Sequence, residues 1–429
     1  MELQEALEWI HSRLPLGSRP GLIRINALLD AVDNPQKKIK TVHIGGTNGK
    51  GSTVTFLRCL LEEKGYTVGT FTSPFIEVFN ERISINGEPI PNEDLVQLVE
   101  LFQPIVEKLD QDEELKGATE FEIITAMMFH YFYEKQVDLA IVEVGLGGTY
   151  DCTNVITPLV TGIVTIGLDH MDILGDTIEK IAAQKAGIIK PNRPVVVGKL
   201  SKEALGVIES KAVETDSPIY RYNQEYQVSY KGFDDSSIEE VFTFKNDTVE
   251  WSDLRIPLTG RHQVDNASVA LQLYLALADE LGYTFSKDSV QASFKQARWA
   301  GRMEWMQKNP PIIVDGAHNE PAVQVLVDNL TKEYHPKRLF TIFSAINTKD
   351  ISHMLHLLET VPNQHLYVTT FEYPKALSFK EYQQFGITED NFLPDWKKGI
   401  DQIKAEMTED DLLIITGSLY FISQVRHYF

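Results

Sequence analysis

The chain has 429 residues, a length that suits two or three domains. Its formal net charge of −21 argues against a nucleic-acid-binding protein, which would need a basic face for phosphates. Two cysteines, no basic start and no long apolar run predict a cytoplasmic protein without a disulfide framework, a signal peptide or a membrane span.

The chain opens with helical patterns and then alternates strands and helices. Apolar residues at helical spacing mark one face of the first predicted helix: Leu3, Leu7, Ile10 and Leu14. A β-rich run over 39–44 ends in a glycine-rich loop. A helix from Ser52 to Gly65 and a strand over 66–72 follow, so the loop lies inside a predicted βαβ unit.

The alternation continues through the middle of the chain. Further helices are predicted over 119–133 and 177–188, and further strands over 137–144, 159–166 and 194–197. This order is typical of a mostly parallel sheet with helices on both faces. Short aromatic, alternating segments over 219–258 predict a small antiparallel sheet, and a long helix over 264–281 follows.

A second series of strands and helices occupies the end of the chain. It begins at "PIIVDGAHN", residues 311–319, and ends in "DLLIITGSLYFIS", residues 411–423. The Pro- and Asn-rich segment 297–311 predicts a domain boundary. We therefore expect an N-terminal α/β domain over 1–298 and a Rossmann-like α/β domain over 299–429.

The segment "HIGGTNGKGSTV", 43–54, has the composition of a phosphate-binding loop but not the common spacing. Its glycines let backbone N–H groups converge on an anion, and the following helix adds its positive end. Lys50 supplies a charge for the outer phosphates. An ordinary glycine-rich turn is the alternative, and the strand–helix context favours the nucleotide loop.

Polar residues follow other predicted strands at the edge where ligands of parallel sheets bind. Glu143 ends a buried strand and is a natural magnesium ligand, and Ser73 follows an earlier strand. His170 is as consistent with an ordinary loop histidine as with a ligand, because magnesium prefers oxygen. Lys185 lies among small residues of a predicted helix, where a charge would be costly without partners.

The later part of the chain repeats this arrangement. Asn266 shares a face of the long helix with His262, four residues earlier. Arg302 in the boundary segment could reach phosphate. Asp315 and His318 end a strand at the position where a second ligand would bind.

Eleven segments together resemble the folylpolyglutamate synthase/dihydrofolate synthase family of the Mur-ligase superfamily. They run in family order over nearly the whole chain: "GGTNGKGS", "FTSPF", "FNERI", "VEVGLGG", "TNVITP", "GLDHMDILG", "QKAGIIK", "GRHQVDNA", "AGRMEW", "VDGAHN" and "TGSLYF". The family loop has one residue between its lysine and the Ser/Thr, which matches the unusual spacing here.

The resemblance implies roles for individual residues. The implied ATP-binding residues are Thr47, Asn48, Gly49, Lys50, Gly51, Ser52, Asn266, Arg302 and Asp315. Ser73 and Glu143 would bind one magnesium ion and His170 a second. Lys50, His170 and Lys185 would be catalytic, with Lys185 carbamylated by CO₂. His318 and Ser418 would help bind glutamate.

The implied activity is ATP-dependent ligation of L-glutamate to folate, or to dihydropteroate, through an acyl phosphate. ATP and two Mg²⁺ ions would be the cofactors, and the partners would be small-molecule substrates of a cytoplasmic monomer in folate biosynthesis and one-carbon metabolism. The sequence does not decide between the two acids.

Two alternatives stay open from the sequence. A cell-wall Mur ligase would use the same chemistry, but only about forty residues precede the loop, where such an enzyme needs a further domain. A P-loop regulatory module without ligase activity would not need the second α/β region with "VDGAHN".

Overall fold

The computed structural model describes residues 1–429 except 18, 20, 235 and 348–350. Within that part of the chain, eight strands form the largest sheet: β1 (Thr41–Gly45), β2 (Val68–Phe71), β3 (Ile83–Ile85), β4 (Glu88–Pro89), β5 (Leu139–Glu143), β6 (Val160–Ile163), β7 (Val195–Val197) and β8 (Ile219–Arg221). Their order is β4-β3-β2-β5-β1-β6-β7-β8. From β2 across the sheet to β8, every pair of neighbouring strands is parallel. At the other edge, β3 pairs in antiparallel fashion with both β2 and β4.

Helices cover this sheet because its central strands are apolar on both faces. Every residue of β1 and β5 is buried. The helices that accompany the sheet along the chain are α1 (Leu3–His11), α2 (Ile23–Asp30), α3 (Lys50–Glu62), α4 (Asn92–Leu109), α5 (Glu120–Glu134), α6 (Met171–Leu174), α7 (Ile178–Ala186) and α8 (Lys202–Glu214). Thr119 caps α5 by accepting from Glu122 N, and the Glu122 carboxylate accepts from Thr119 N in return.

An antiparallel sheet follows, with β10 (Glu239–Asn246) between β9 (Tyr226–Asp234) and β11 (Glu250–Ile256). Two helices come next, α9 (Arg261–Leu281) and α10 (Lys287–Phe294). The predicted fold class, a mostly parallel sheet flanked by helices with a small antiparallel sheet, is confirmed for this part of the chain.

The described helices and strands of the C-terminal region are β12 (Glu304–Lys308), β13 (Pro311–Asp315), α11 (Glu320–Lys332), β14 (Leu339–Ser344), α12 (Ile351–Glu359), β15 (Gln364–Thr369), α13 (Phe379–Tyr382), β16 (Phe392–Leu393), α14 (Trp396–Glu406), β17 (Leu412–Gly417) and α15 (Leu419–Arg426). The strands form one sheet with the order β12-β13-β17-β14-β15-β16. Only β12 pairs in antiparallel fashion among these strands. Ile313 faces one apolar cluster, while Ile312 and Val314 face another, as strand alternation requires. The predicted Rossmann-like C-terminal region is confirmed.

The chain divides into two compact units. The first comprises Met1–Ser229, Phe244–Ser252 and Asp265–Ala297, and the second comprises Tyr230–Thr243, Asp253–Val264 and Arg298–Phe429. The predicted domains, residues 1–298 and 299–429, stay a prediction about independently folding parts.

Two local predictions were wrong. Leu14 is not on the first helix, because Pro15 disfavours helical backbone at the residue before it; Leu14 begins a 3₁₀ turn and is 57% exposed. Residues 219–221 were predicted in the antiparallel sheet but form β8 of the parallel sheet, because α8 connects β7 to β8 in a βαβ unit. The segment 297–311, in which a domain boundary is predicted, also contains β12, and its Asn–Pro pair turns the chain into β13.

No helix in the described ranges combines the length and the apolar character needed to cross a membrane.

Candidate active site

The glycine-rich loop joins β1 to α3 and ends at the helix N-terminus. Gly49 precedes α3 in the left-handed region with φ of 82°, and a Cβ there would lie 2.3 Å from Asn266 Oδ1. Only glycine suits both the backbone and this close approach. The N–H groups of Lys50, Gly51 and Ser52 form the first turn of α3, where amides have no intrahelical acceptor and the helix dipole is positive. This end of α3 can bind a phosphate.

Thr47 and Asn48 in the loop are held by hydrogen bonds to the segment that follows β6. Thr47 N donates to Thr165 O at 2.8 Å, and Asn48 N donates to Thr165 Oγ1 at 2.9 Å. Gly167 N donates to Thr47 Oγ1 at 3.0 Å. The amides of Thr47 and Asn48 therefore hold the loop in shape, which leaves the helix N-terminus as its main anion-binding surface.

Lys50 lies between the loop and the sheet edge. Its Nζ donates to Gly46 O at 3.2 Å and to Thr47 O at 3.1 Å, and it is 3.8 Å from Glu143 Oε1. The ammonium group is thus held by loop carbonyls next to a carboxylate. A phosphate at the helix N-terminus would meet a cation that is already positioned.

Ser73 and Glu143 meet because their strands are neighbours. Phe71 of β2 pairs with Val142 of β5, so the residues that follow lie side by side at the carboxyl edge. Ser73 N is 3.4 Å from Glu143 Oε2, and Glu143 is only 3% exposed. The register between β2 and β5 therefore brings Ser73 and Glu143 close together.

The donor set at this edge fits magnesium. A serine hydroxyl and a carboxylate are hard oxygen donors, which Mg²⁺ prefers. In the described part of the chain, no three His, Cys, Asp or Glu side chains converge as a complete metal cage. A site with one or two protein oxygens agrees with an ion that keeps several waters and phosphate oxygens.

Lys185 is a buried amine beside the loop. It is 4% exposed, and its Nζ donates to Gly46 O at 2.9 Å. Burial, together with the nearby Lys50 cation, lowers the pKa of the Lys185 amine to about 7. Helix α7 comes close to the strand-end loop because Gly148 has no side chain: a Cβ there would lie 2.4 Å from Gln184 O.

His170 follows β6 at the same sheet edge. It has left-handed backbone with φ of 49°, and about half of its side chain is exposed. Its N–H donates to Asp169 Oδ1 at 2.9 Å, and its Nε2 is 3.9 Å from that oxygen. The described contacts join His170 to Asp169 rather than to Ser73 or Glu143.

In the second unit, Arg302, Asp315 and His318 gather around the end of β13. Arg302 Nη1 donates to Gly316 O at 3.0 Å, and His318 Nδ1 lies 2.7 Å from the same oxygen. A carbonyl only accepts, so His318 Nδ1 carries a proton, and in the neutral ring Nε2 is then the acceptor nitrogen. Asp315 accepts from Met303 N and Ala317 N, both at 2.9 Å. Burial raises the pKa of its carboxyl, and the Arg302 cation opposes that shift.

Ser418 lies at the carboxyl end of the neighbouring strand. β13 and β17 are parallel with Asp315 opposite Thr416, which puts Ser418 at the same edge as Asp315. Its N–H donates to Ser344 O at 2.8 Å, and the buried residue begins α15. The second unit thus has its own cluster of polar groups at a sheet edge.

A cavity of about 580 Å³ opens next to Ser73 in the first unit. Gly145 forms part of its wall, and a Cβ there would lie 2.3 Å from the Phe121 ring. Two arginines and two buried carboxylates also line it: Arg19, Arg82, Glu122 and Asp151. This volume suits a drug-sized organic molecule.

Comparison with known proteins connects both units to one family. The Mur ligase middle domain matches residues 44–274, and the Mur ligase, glutamate ligase domain matches residues 301–419. A dihydrofolate synthase/folylpolyglutamate synthase from Bacillus subtilis is 42% identical over 427 residues, which cover 99% of this chain and 98% of that protein. The chain belongs to the folylpolyglutamate synthase/dihydrofolate synthase family of Mur-type ligases. The resemblance seen in the motifs is confirmed.

Solved structures of this family share the fold over the whole chain. A Mycobacterium tuberculosis folylpolyglutamate synthase complexed with ADP and AMPPCP superposes with a TM-score of 0.88 at 30% identity, covering 99% of this chain and 98% of that one. An FPGS–AMPPCP–folate complex superposes with a TM-score of 0.85 at 34% identity, covering 99% of both chains.

Apart from Ser73, no residue of the cavity was assigned a role from the sequence. Asp151 lies between two recognised motifs and Phe121 lies far from any, but an aspartate in a loop and an aromatic residue at a helix start have ordinary structural uses. Asp151 accepts from Leu146 N at 2.8 Å and from Thr153 N at 2.9 Å. Arg19 comes from a segment without any pattern. Arg82 lies in "FNERI", one of the segments that carry the resemblance, but its residue type alone indicates no role.

Proposed function

We propose that the chain is an ATP-dependent ligase that joins L-glutamate to the carboxylate of folate, with dihydropteroate as a second acid. One observation carries this proposal: four side chains lie close together near the N-terminus of α3, beside a cavity large enough for a folate-like acid. These residues are Lys50, Glu143, Ser73 and Lys185. ATP phosphates would bind at Lys50–Ser52, and the acid would bind in the cavity with its carboxylate toward Ser73.

The reaction needs activation because a carboxylate is a poor electrophile. A carboxylate oxygen attacks the γ-phosphorus of ATP, the bond to the bridging oxygen breaks, and ADP leaves. The neutral amine of glutamate then attacks the carbonyl carbon of the acyl phosphate, the bond from that carbon to the phosphate oxygen breaks, and the nitrogen loses a proton to give the amide and phosphate. Lys50 would neutralise the charge that builds up on the phosphate oxygens during the first step.

Ser73 and Glu143 would hold one Mg²⁺, and His170 would contribute to a second site. When bound, these ions supply positive charge to the phosphates. The protein's own part is to fix the oxygen donors at the sheet edge, next to Lys50.

Lys185 would act as a carbamate. Its lowered pKa gives a large fraction of neutral amine near neutral pH, and the neutral amine is the form that adds to CO₂ with loss of a proton. The product is an anion. Its charge would attract the Lys50 cation, whereas the ammonium form of Lys185 repels it.

Residues of the later chain would complete substrate binding. Asn266 lies against Gly49 and would contact the nucleotide from α9. Arg302 and Asp315 would bind nucleotide from the second unit. His318 Nε2 would accept an N–H of the glutamate amine, and Ser418 would bind a glutamate carboxylate. We also propose a reducing, cytoplasmic location, because two cysteines, both buried, are too few for a disulfide framework.

ADP release tests the proposed function. Purified protein with ATP and Mg²⁺ should release ADP only when both an acid and L-glutamate are present, and tetrahydrofolate and dihydropteroate should be offered separately. The amide product should form in equal amount to ADP. ADP release without acid would instead favour a P-loop module, and a phosphorylated acid without amide would favour a kinase.

Replacing Glu143 with glutamine tests the metal assignment. The variant keeps the side-chain size but removes the charge, so we expect the Mg²⁺ concentration for half-maximal rate to rise at least about tenfold. Glu134→Gln is the control, since Glu134 is exposed at the end of α5. An unchanged Mg²⁺ titration in the Glu143 variant would reject this role.

A further inference from the structure

Arg82 stands at the Ser73 end of the cavity. Thr72 N donates to Arg82 O at 3.1 Å, and Phe71 pairs with Ile83 across the antiparallel strands β2 and β3. This pairing sets the Arg82 backbone directly beside the Thr72–Ser73 segment, although nine residues separate Arg82 from Ser73 in the sequence. Both residues line the cavity. Arg82 therefore belongs to the end of the cavity where the reacting carboxylate would lie.

The guanidinium of Arg82 is held in place by its neighbours. It lies 5.2 Å from the Phe75 ring centroid and 5.6 Å from that of Phe79. Its Nη2 is 3.9 Å from Glu120 Oε1, and Glu120 also contacts His11 Nδ1 at 3.0 Å. Only 13% of the Arg82 side chain is exposed. A guanidinium restrained in this way loses little conformational freedom when it binds an anion.

The charges around the cavity call for a cation at this end. Asp151 and Glu122 also line the cavity, and Glu122 already takes up the charge of Arg24 through a contact of 3.0 Å. A bound carboxylate would add further negative charge. Folate presents two carboxylates of its glutamate: the γ-carboxylate that reacts and the α-carboxylate next to it. The proposed Mg²⁺ site and Lys50 serve the reacting group. The neighbouring carboxylate needs a separate partner, and a planar guanidinium matches it with two parallel hydrogen bonds.

We infer that Arg82 binds the α-carboxylate of a glutamyl acid, a contact that dihydropteroate, with its single carboxylate, cannot make. Arg82 is thus a specificity-determining residue of the acid site. This inference rests on the proposed function.

The test combines enzyme variants with a modified substrate. Wild type and Arg82→Gln are each assayed with a folate monoglutamate and with its α-carboxamide analogue, measuring kcat and KM from ADP release and amide formation. For the natural acid, Arg82→Gln should raise KM about 10- to 100-fold, as expected for a lost charge-assisted hydrogen bond. For wild type, the α-carboxamide should cause a rise of the same size. The variant should not distinguish the two substrates.

Arg13→Gln is the matched control, because Arg13 also pairs with a carboxylate, Asp110 at 2.8 Å, and lies 6.0 Å from a Trp9 ring centroid, but does not line the cavity. It should leave both KM values unchanged. Arg82→Lys keeps the charge without the planar fork and should give an intermediate KM, so the test stands even when the glutamine variant does not fold. Equal KM increases for the two substrates in the Arg82 variants would overturn the inference. A wild type that forms no amide from folate and glutamate would instead reject the proposed function.

Discussion

Replacing Lys50 with alanine is expected to lower kcat for amide formation roughly 100- to 1,000-fold. The ammonium group is already next to the helix N-terminus and Glu143, so in the proposed reaction it would stabilise developing phosphate charge without reorganisation. The stability cost is smaller, about 1 kcal/mol for each lost hydrogen bond to the loop carbonyls of Gly46 and Thr47. The variant should therefore stay folded and lose turnover.

Steady-state ADP release, together with the urea midpoint of unfolding, checks this expectation. Lys116→Ala is a suitable control, because Lys116 is an exposed lysine paired with Glu113. Near-normal ligase activity of Lys50→Ala would refute the role assigned to this lysine. A large loss of stability would point to a structural role in the loop instead.

Replacing Lys185 is expected to have an effect of similar size and to reveal the carbamate. Lys185→Ala would remove the proposed carbamate anion beside Lys50, so kcat should fall roughly 100- to 1,000-fold, and added acetate should restore part of it by supplying a carboxylate to the space left. Lys185→Arg keeps a cation that cannot react with CO₂ and should stay inactive. Wild-type activity should fall in CO₂-depleted buffer and recover when bicarbonate is added.

The pKa of the Lys185 amine determines how carbamate formation should depend on pH. The pKa of Lys185 is about 7, so the neutral amine predominates above that pH and is protonated below it. Carbamate formation should consequently weaken as the pH falls through 7. Nuclear magnetic resonance with isotopically labelled CO₂ measures this directly, and Lys180→Ala, an exposed lysine on the same helix, is the control. An active Lys185→Arg variant without a carbamate signal in wild type would contradict the assignment.

Several site residues were within reach of the sequence because the signal was local. A glycine-rich loop between a strand and a helix predicts an anion site from backbone geometry alone. Glu143 ends an apolar run, which places it at the carboxyl edge of a parallel strand. Strand β8 was assigned to the antiparallel sheet, and strand β12 was not predicted, because a three-residue strand and a hairpin turn carry little periodic signal.

The amino-acid sequence by itself determined the alternation of strands and helices, the order of the motifs and the family to which they belong. These are properties of short segments, set by side-chain periodicity and by backbone freedom at glycine. The tertiary structure alone decided that Arg82 stands next to Ser73, that Phe121 and Asp151 share a cavity, and that Lys185 is buried near Lys50. Distances between remote segments, and the pKa values that depend on them, follow from strand order and packing, which no local pattern encodes.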